Sequence, residues 1–159
     1  VAKSYLLEIS VQTADAAQAA ERGGAHRIEL CAHLELGGLT PDEAWMRDVR
    51  ARVRLPVLAM IRPRAGDFVY SDVEFERMRR DILMAKRLGM DGVVLGLLTH
   101  DRRVDVPRTK ELIENARPLP VAFHRAFDAC GNLFTSLEEV IEAGAARILT
   151  SGGAASAPD

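Results

Sequence analysis

Pro56-Val57-Leu58-Ala59-Met60-Ile61, then Ser71-Asp72-Val73-Glu74, then Gly89, then Asp91-Gly92-Val93-Val94-Leu95 reads as strand, helix, strand. The two apolar runs are short, continuous and rich in Val, Ile and Leu. Strands look like this when helices cover both faces of a parallel sheet. Between them, Ser71 and Glu74 form a capping box that opens a long helix, and Gly89 closes it. Two parallel strands need such a crossover, so this unit points to an α/β fold.

The same grammar extends in both directions. Upstream, Tyr5 to Ile9 is an apolar run, Thr13 opens an alanine-rich helix, and Gly23-Gly24 close it. Arg27 to Leu30 follows as a second strand. Thr40-Pro41-Asp42-Glu43 then opens a helix, with Thr40 as N-cap and Glu43 completing the box. Downstream, Asp105 caps a helix reaching about Arg117, and Pro120 to Phe123 is the fifth strand. Thr135-Ser136-Leu137-Glu138 reads as a further capping box, its helix ends at Gly144, and Arg147 to Leu149 is the sixth strand.

Units also echo one another. Gly24-Ala25-His26-Arg27-Ile28 returns as Gly144-Ala145-Ala146-Arg147-Ile148, and Leu55-Pro56-Val57 as Leu119-Pro120-Val121. Such repetition suits a parallel β/α (TIM-type) barrel better than the alternative, an open flavodoxin-like sheet. A closed barrel takes eight strands and ~250 residues. We therefore expect residues 1–159 to be a single β/α-barrel domain, C-terminally incomplete, with six of eight units and open edges at strands one and six.

Composition narrows the function classes. Charged residues make up 28% and hydrophobic ones 48%, and the formal net charge is −2, an ordinary globular balance. That charge gives no reason to expect nucleic acid or an anionic membrane as partner. No apolar run approaches the ~20 residues of a membrane span. The start, residues 1–7, lacks the basic-then-apolar layout of a signal peptide. The two cysteines, Cys31 and Cys130, form no CxxC pair. A cytoplasmic location is the expectation.

Barrel chemistry sits at the C-terminal ends of strands, and side chains alternate along each strand. The polar parity selects Glu8 and Ser10 on strand one, Glu29 and Cys31 on strand two, and Arg62, then Arg64 and Asp67, after strand three. Strand four ends at Gly96 and offers no side chain. Strand five gives His124, then Arg125 and Asp128, and strand six leads into Thr150, Ser151, Gly152 and Gly153. Glu29, His124 and Asp128 are the acid–base candidates. Glu8, Arg62, Arg64, Arg125 and the Ser151-Gly152-Gly153 turn are candidates for holding an anion, through guanidinium forks and backbone N–H groups. Cys31 is the candidate ligand for Cu(I), a soft ion that favours thiolates, with His124, Cys130 or Met60 as possible helpers. Structural readings stand beside these: buried charges pairing with one another, Cys31 as an ordinary buried thiol, Cys130 incidental in its loop, Trp45 facing the core, and Phe68 and Tyr70 packing the loop after strand three. His26, His33 and His100 are expected to be solvated.

Six strings stand in order: Arg27-Ile28-Glu29-Leu30-Cys31, Gly37-Gly38-Leu39-Thr40-Pro41, Met60-Ile61-Arg62-Pro63-Arg64, Gly66-Asp67-Phe68, Phe123-His124-Arg125-Ala126-Phe127-Asp128 and Arg147-Ile148-Leu149-Thr150-Ser151-Gly152-Gly153. Together the chain resembles the CutC family, named for copper homeostasis. The resemblance implies a β/α barrel of about eight strands, a cytosolic protein that often self-associates, hence a homodimer when full length, and a Cu(I) association. It also implies that Glu8, Glu29, Cys31, Arg62, Arg64, His124, Arg125 and Asp128 occupy positions characteristic of the family. Two functions follow as expectations. One is copper homeostasis with Cu(I) bound at Cys31. The other is an enzyme acting on a small phosphate- or carboxylate-bearing metabolite, which an arginine-lined mouth attracts while it repels a cation.

Overall fold

The computed structural model describes residues 5–157. Residues 1–4, part of the stretch read for a signal peptide, and 158–159 lie outside them. Six strands alternate with five helices: β1 (Glu8–Val11), α1 (Ala14–Arg22), β2 (Arg27–Leu30), α2 (Glu43–Arg52), β3 (Val57–Met60), α3 (Asp72–Arg87), β4 (Gly92–Leu95), α4 (Val106–Ala116), β5 (Val121–Phe123), α5 (Leu133–Ala143) and β6 (Arg147–Ile148). Short 3₁₀ turns occupy Leu34–Leu36 and Arg125–Ala129. All neighbouring strands are parallel, and their spatial order follows the chain, β1-β2-β3-β4-β5-β6. The sheet therefore curls in one direction, as a barrel does, and the flavodoxin-like order is excluded.

The alternation of strand side chains splits the core into two layers. Ile28, Leu30, Val57, Ala59, Val93, Leu95 and Val121 face the helices, packing against Met46, Val49, Met78, Ile82 and Leu112. Cys31, Leu58, Met60, Val94 and Ala122 fill the concave face. Burying each large side chain contributes roughly 1.5–3 kcal/mol. The concave parity, continued to the strand ends, delivers Arg62 and His124 to the mouth.

Several boundaries differ from the sequence reading. Strand one begins at Glu8, and Tyr5, Leu6 and Leu7 are exposed. The cap of α2 is Asp42, which accepts from the Trp45 N–H at 2.8 Å. Thr40 Oγ1 instead accepts from the Arg62 N–H at 2.8 Å and ties the loop after β2 to that after β3. Helix α5 starts earlier than the expected box, with Asn132 capping Phe134 and Thr135, which leaves Ser136 buried inside the helix. The Thr13, Ser71 and Asp105 caps stand where expected. Trp45 is 38% exposed on the outer face of α2 rather than in the core. Cys130, expected to be incidental in a loop, is buried among Phe123, Ala126, Phe127 and Val140.

Candidate functional site

A cavity of about 420 Å³ opens at the strand C-termini. Its polar lining is Ser10, Glu29, Arg62, His124 and Arg125, and its apolar walls include Leu34, Leu36, Met60, Phe68 and Leu149. The cavity thus brings Glu29, Arg62 and His124, which share the concave parity, together with Arg125 from the turn after β5.

Glu29 is buried at the end of β2. Its Oε1 accepts from Ser10 Oγ at 2.9 Å and from Cys31 Sγ at 3.4 Å, while Oε2 has no partner. Burial pushes its carboxyl above the usual range, and the Ser10 and Cys31 hydrogen bonds only partly offset this. A carboxyl whose proton affinity burial has raised is better suited to accept and return protons than an exposed one.

Arg62 is also buried, yet no carboxylate pairs with it among the described residues. Its Nη1 donates to Leu36 O (2.9 Å) and Gly38 O (3.2 Å), and its Nη2 to Gly66 O (3.1 Å). Its Nε has no partner. The guanidinium lies 4.9 Å over the Phe68 ring. Carbonyl dipoles and an aromatic face hold this charge in place without neutralising it.

His124 follows β5 and caps the 3₁₀ turn, with Nδ1 accepting from the Ala126 N–H at 3.1 Å. In the neutral ring that acceptor puts the proton on Nε2, which is buried without a partner. Burial, then the Arg62 charge, pushes its pKa down to about 3, so at neutral pH the imidazole is an uncharged donor. The ring sits where a Cβ on Gly96 would come within 2.6 Å of it, and 5.1 Å from the Phe68 ring. The missing side chain just past β4, at Gly96, is therefore the space for His124.

The other expected residues serve elsewhere. Arg125 lines the cavity, but its Nε donates to Asp128 Oδ2 (2.9 Å) and its Nη2 to Ser151 Oγ (2.7 Å) and the Ala154 and Ala155 carbonyls. Asp128 also accepts from Thr150 Oγ1 and from the N–H groups of Ser151 (3.0 Å) and Gly153 (2.9 Å). Burial opposes its ionisation, but these donors outweigh it and hold the carboxyl well below the usual range. The expected anion nest at Ser151-Gly152-Gly153 is thus filled by the chain's own Asp128, and the Gly152 N–H goes to Thr150 Oγ1. This also corrects Asp128 as an acid–base group, because its oxygens are committed. Arg64 does not line the cavity. It binds Glu74 (2.6 Å) and Asp67 (2.9 Å) and fastens the loop after β3 to α3. Glu8 lies one pleat below Ser10 and pairs with Arg27 across the β1–β2 register.

Phe68, expected only to pack its loop, is the contact shared by Arg62 and His124. The Leu34–Leu36 turn, which closes one wall, was not anticipated. Two leucines separated by one residue, Leu34 and Leu36, directly before the Gly37-Gly38 pair are the signal that marks it.

Copper fits this site poorly. Cys31 is wholly buried, and burial and the adjacent Glu29 carboxylate both push its thiol well above the usual range, against the thiolate that Cu(I) needs. Cys130 belongs to a different cluster, on the helix side. Among the described residues no group of three or more His, Cys, Asp or Glu side chains is placed to hold a metal ion.

A curled parallel sheet with covering helices and a polar mouth at its strand C-termini defines a β/α-barrel protein. A model of the CutC family matches residues 5–159, and the chain belongs to that family. It is 52% identical over 157 residues to a CutC family protein of Vibrio vulnificus, covering 98% of this chain and 63% of the relative. It is 49% identical over 154 residues to one of Chromobacterium violaceum, covering 97% and 62%. The chain thus spans less than two thirds of these relatives' length. A CutC of Streptococcus agalactiae, assigned provisionally to copper homeostasis, superposes with a TM-score of 0.88 at 32% identity, covering 96% of this chain and 75% of that one. A phosphoenolpyruvate phosphomutase of Streptomyces platensis shares the fold alone, with a TM-score of 0.66 at 16% identity over 94% of this chain and 60% of that one. No helix of the described residues is long and apolar enough to cross a membrane.

Proposed function

We propose that this protein, a single β/α-barrel domain acting in the cytoplasm, binds and acts on a small organic anion in the cavity between Glu29, Arg62 and His124. The observation that carries this reading is Arg62, a buried cation with no carboxylate partner among the described residues, next to a neutral imidazole with an unpartnered N–H. A buried charge is costly unless something compensates it, and an incoming anion does so. In this reading Arg62 fixes the anion, the His124 Nε2–H steadies negative charge developing on a ligand oxygen, and Glu29 Oε2 takes or returns a proton. Thermal-shift screening against carboxylates and phosphates, with wild type and Arg62→Met side by side, tests it. Stabilisation in wild type that disappears in the variant is expected, and a blank panel for wild type overturns the reading.

The family's copper association suggests a second reading, with Cu(I) as cargo at Cys31, the sole thiol in the concave cluster. We expect Cu(I) competition against a strong chelator to give equal affinities for wild type and Cys31→Ser. A large loss in the variant would instead make Cys31 the ligand.

A further inference from the structure

The cavity carries two polar clusters that share no hydrogen bond. One holds Arg62, Phe68 and His124, at the ends of β3 and β5. The other holds Ser10 and Glu29, paired in register on β1 and β2. The first offers one fixed positive charge and one neutral donor. The second offers a carboxylate oxygen with no partner and a hydroxyl. Arg125 adds no net charge, because Asp128 offsets it at 2.9 Å.

Resting on the reading that this cavity binds an organic anion, we infer that the ligand is a hydroxycarboxylate, its carboxylate meeting Arg62 and His124 and its hydroxyl donating to Glu29. Two observations separate this class from a phosphate ester. A phosphate carries up to two charges and is commonly held by a nest of backbone N–H groups. Here, among the described residues lining the cavity, Arg62 is the one cation without a carboxylate partner, and the Ser151-Gly152-Gly153 nest is already occupied by Asp128. A third observation separates it from a simple fatty acid. Glu29 Oε2 is buried without a donor among the described residues, and an apolar ligand tail would leave it unsatisfied.

The experiment is calorimetric titration of the protein with four six-carbon probes: D-gluconate, hexanoate, sorbitol and glucose 6-phosphate. Gluconate is expected to bind at least tenfold more tightly than the other three. Arg62→Met should weaken gluconate at least tenfold, and Glu29→Gln at least threefold, with folding checked by circular dichroism. If glucose 6-phosphate or hexanoate equals gluconate and still depends on Arg62, the hydroxycarboxylate is overturned while the anion pocket stands. If no anion binds in an Arg62-dependent way, both readings fall. Should Arg62→Met not fold, the ring-proton resonances of His124 in the wild-type protein decide: gluconate must shift them more than glucose 6-phosphate or hexanoate does, and an equal or smaller shift overturns the inference.

Discussion

Arg62 and Arg125 follow β3 and β5 at the same mouth, and in sequence they look alike, yet their surroundings are opposite. Arg125 has Asp128, Ser151 and two carbonyls, and Asp128 in turn gathers the hydroxyl and N–H groups of Thr150, Ser151 and Gly153. That cluster is electrically closed, and its work is to shape the chain after β6. Arg62 has carbonyls but, among the described residues, no carboxylate, beside a neutral imidazole. A satisfied arginine builds a loop, whereas an uncompensated one is the group that, in the proposed function, meets a ligand anion.

The closed cluster is the place where substitution should cost most. Asp128→Asn should lower the unfolding free energy by ~3 kcal/mol, because Arg125 loses its counter-charge and several donors lose a charged acceptor. Urea denaturation checks this, and a loss below ~1 kcal/mol would mean that the cluster contributes as little as an exposed ion pair. The pH sign follows from the lowered carboxyl: its stabilisation is complete above the ordinary carboxylate pKa of ~4 and fades as the pH falls through the lower folded value.

Gly38→Ala comes next, at ~2 kcal/mol. Gly38 has φ +84°, and a Cβ there would lie 3.1 Å from Cys31 Sγ. Thermal unfolding measures it, and a neutral result would show that the loop walling the cavity shifts without strain. Arg62→Met should change stability by only ~1 kcal/mol, because removing an uncompensated buried charge offsets the lost carbonyl bonds. A loss as large as that for Asp128→Asn would erase the contrast between the two arginines.

The smallest effect is Glu29→Gln, which at pH 8 should leave stability unchanged or raise it by ~0.5 kcal/mol, since a buried carboxylate no longer has to ionise. The wild-type contribution of Glu29 is complete below its unfolded pKa of ~4.3 and is lost as the pH rises through the raised folded value. Chemical denaturation from pH 4 to 8 on both proteins tests this, and parallel curves would contradict it.

The fold was legible because strand runs, stop glycines and N-caps are local signals. Strand two was read to the residue, and the Ser71–Glu74 box is present on both sides. Strand one starts later than its apolar run suggests, because Tyr5–Leu7 imitates a buried strand yet is exposed among the described residues. The α2 and α5 caps differ because Thr40 is taken by the Arg62 N–H of another loop, and because Asn132 caps α5 upstream and already holds the Thr135 N–H inside the helix. Parity puts Glu29, Arg62 and His124 on the concave face, where they line the cavity, since alternation along a strand is geometric. It did not reveal that Asp128 fills the glycine turn, or that Phe68 joins Arg62 to His124. Those facts depend on how separate loops meet.

The strand order follows the chain order without a crossing. Each strand therefore bonds to the unit made immediately before it and the one made immediately after. Among the described residues, the molecule can thus assemble as a growing row, each βα unit docking on its predecessor. The same property governs its breathing. Amide hydrogen exchange should be slowest in β3 and β4, flanked on both sides, and should quicken outward to β1 and β6, which are not paired with each other among the described residues. Glu29 on β2 and Arg62 just past β3 would then open at different free energies, so the two walls of one cavity would keep different time.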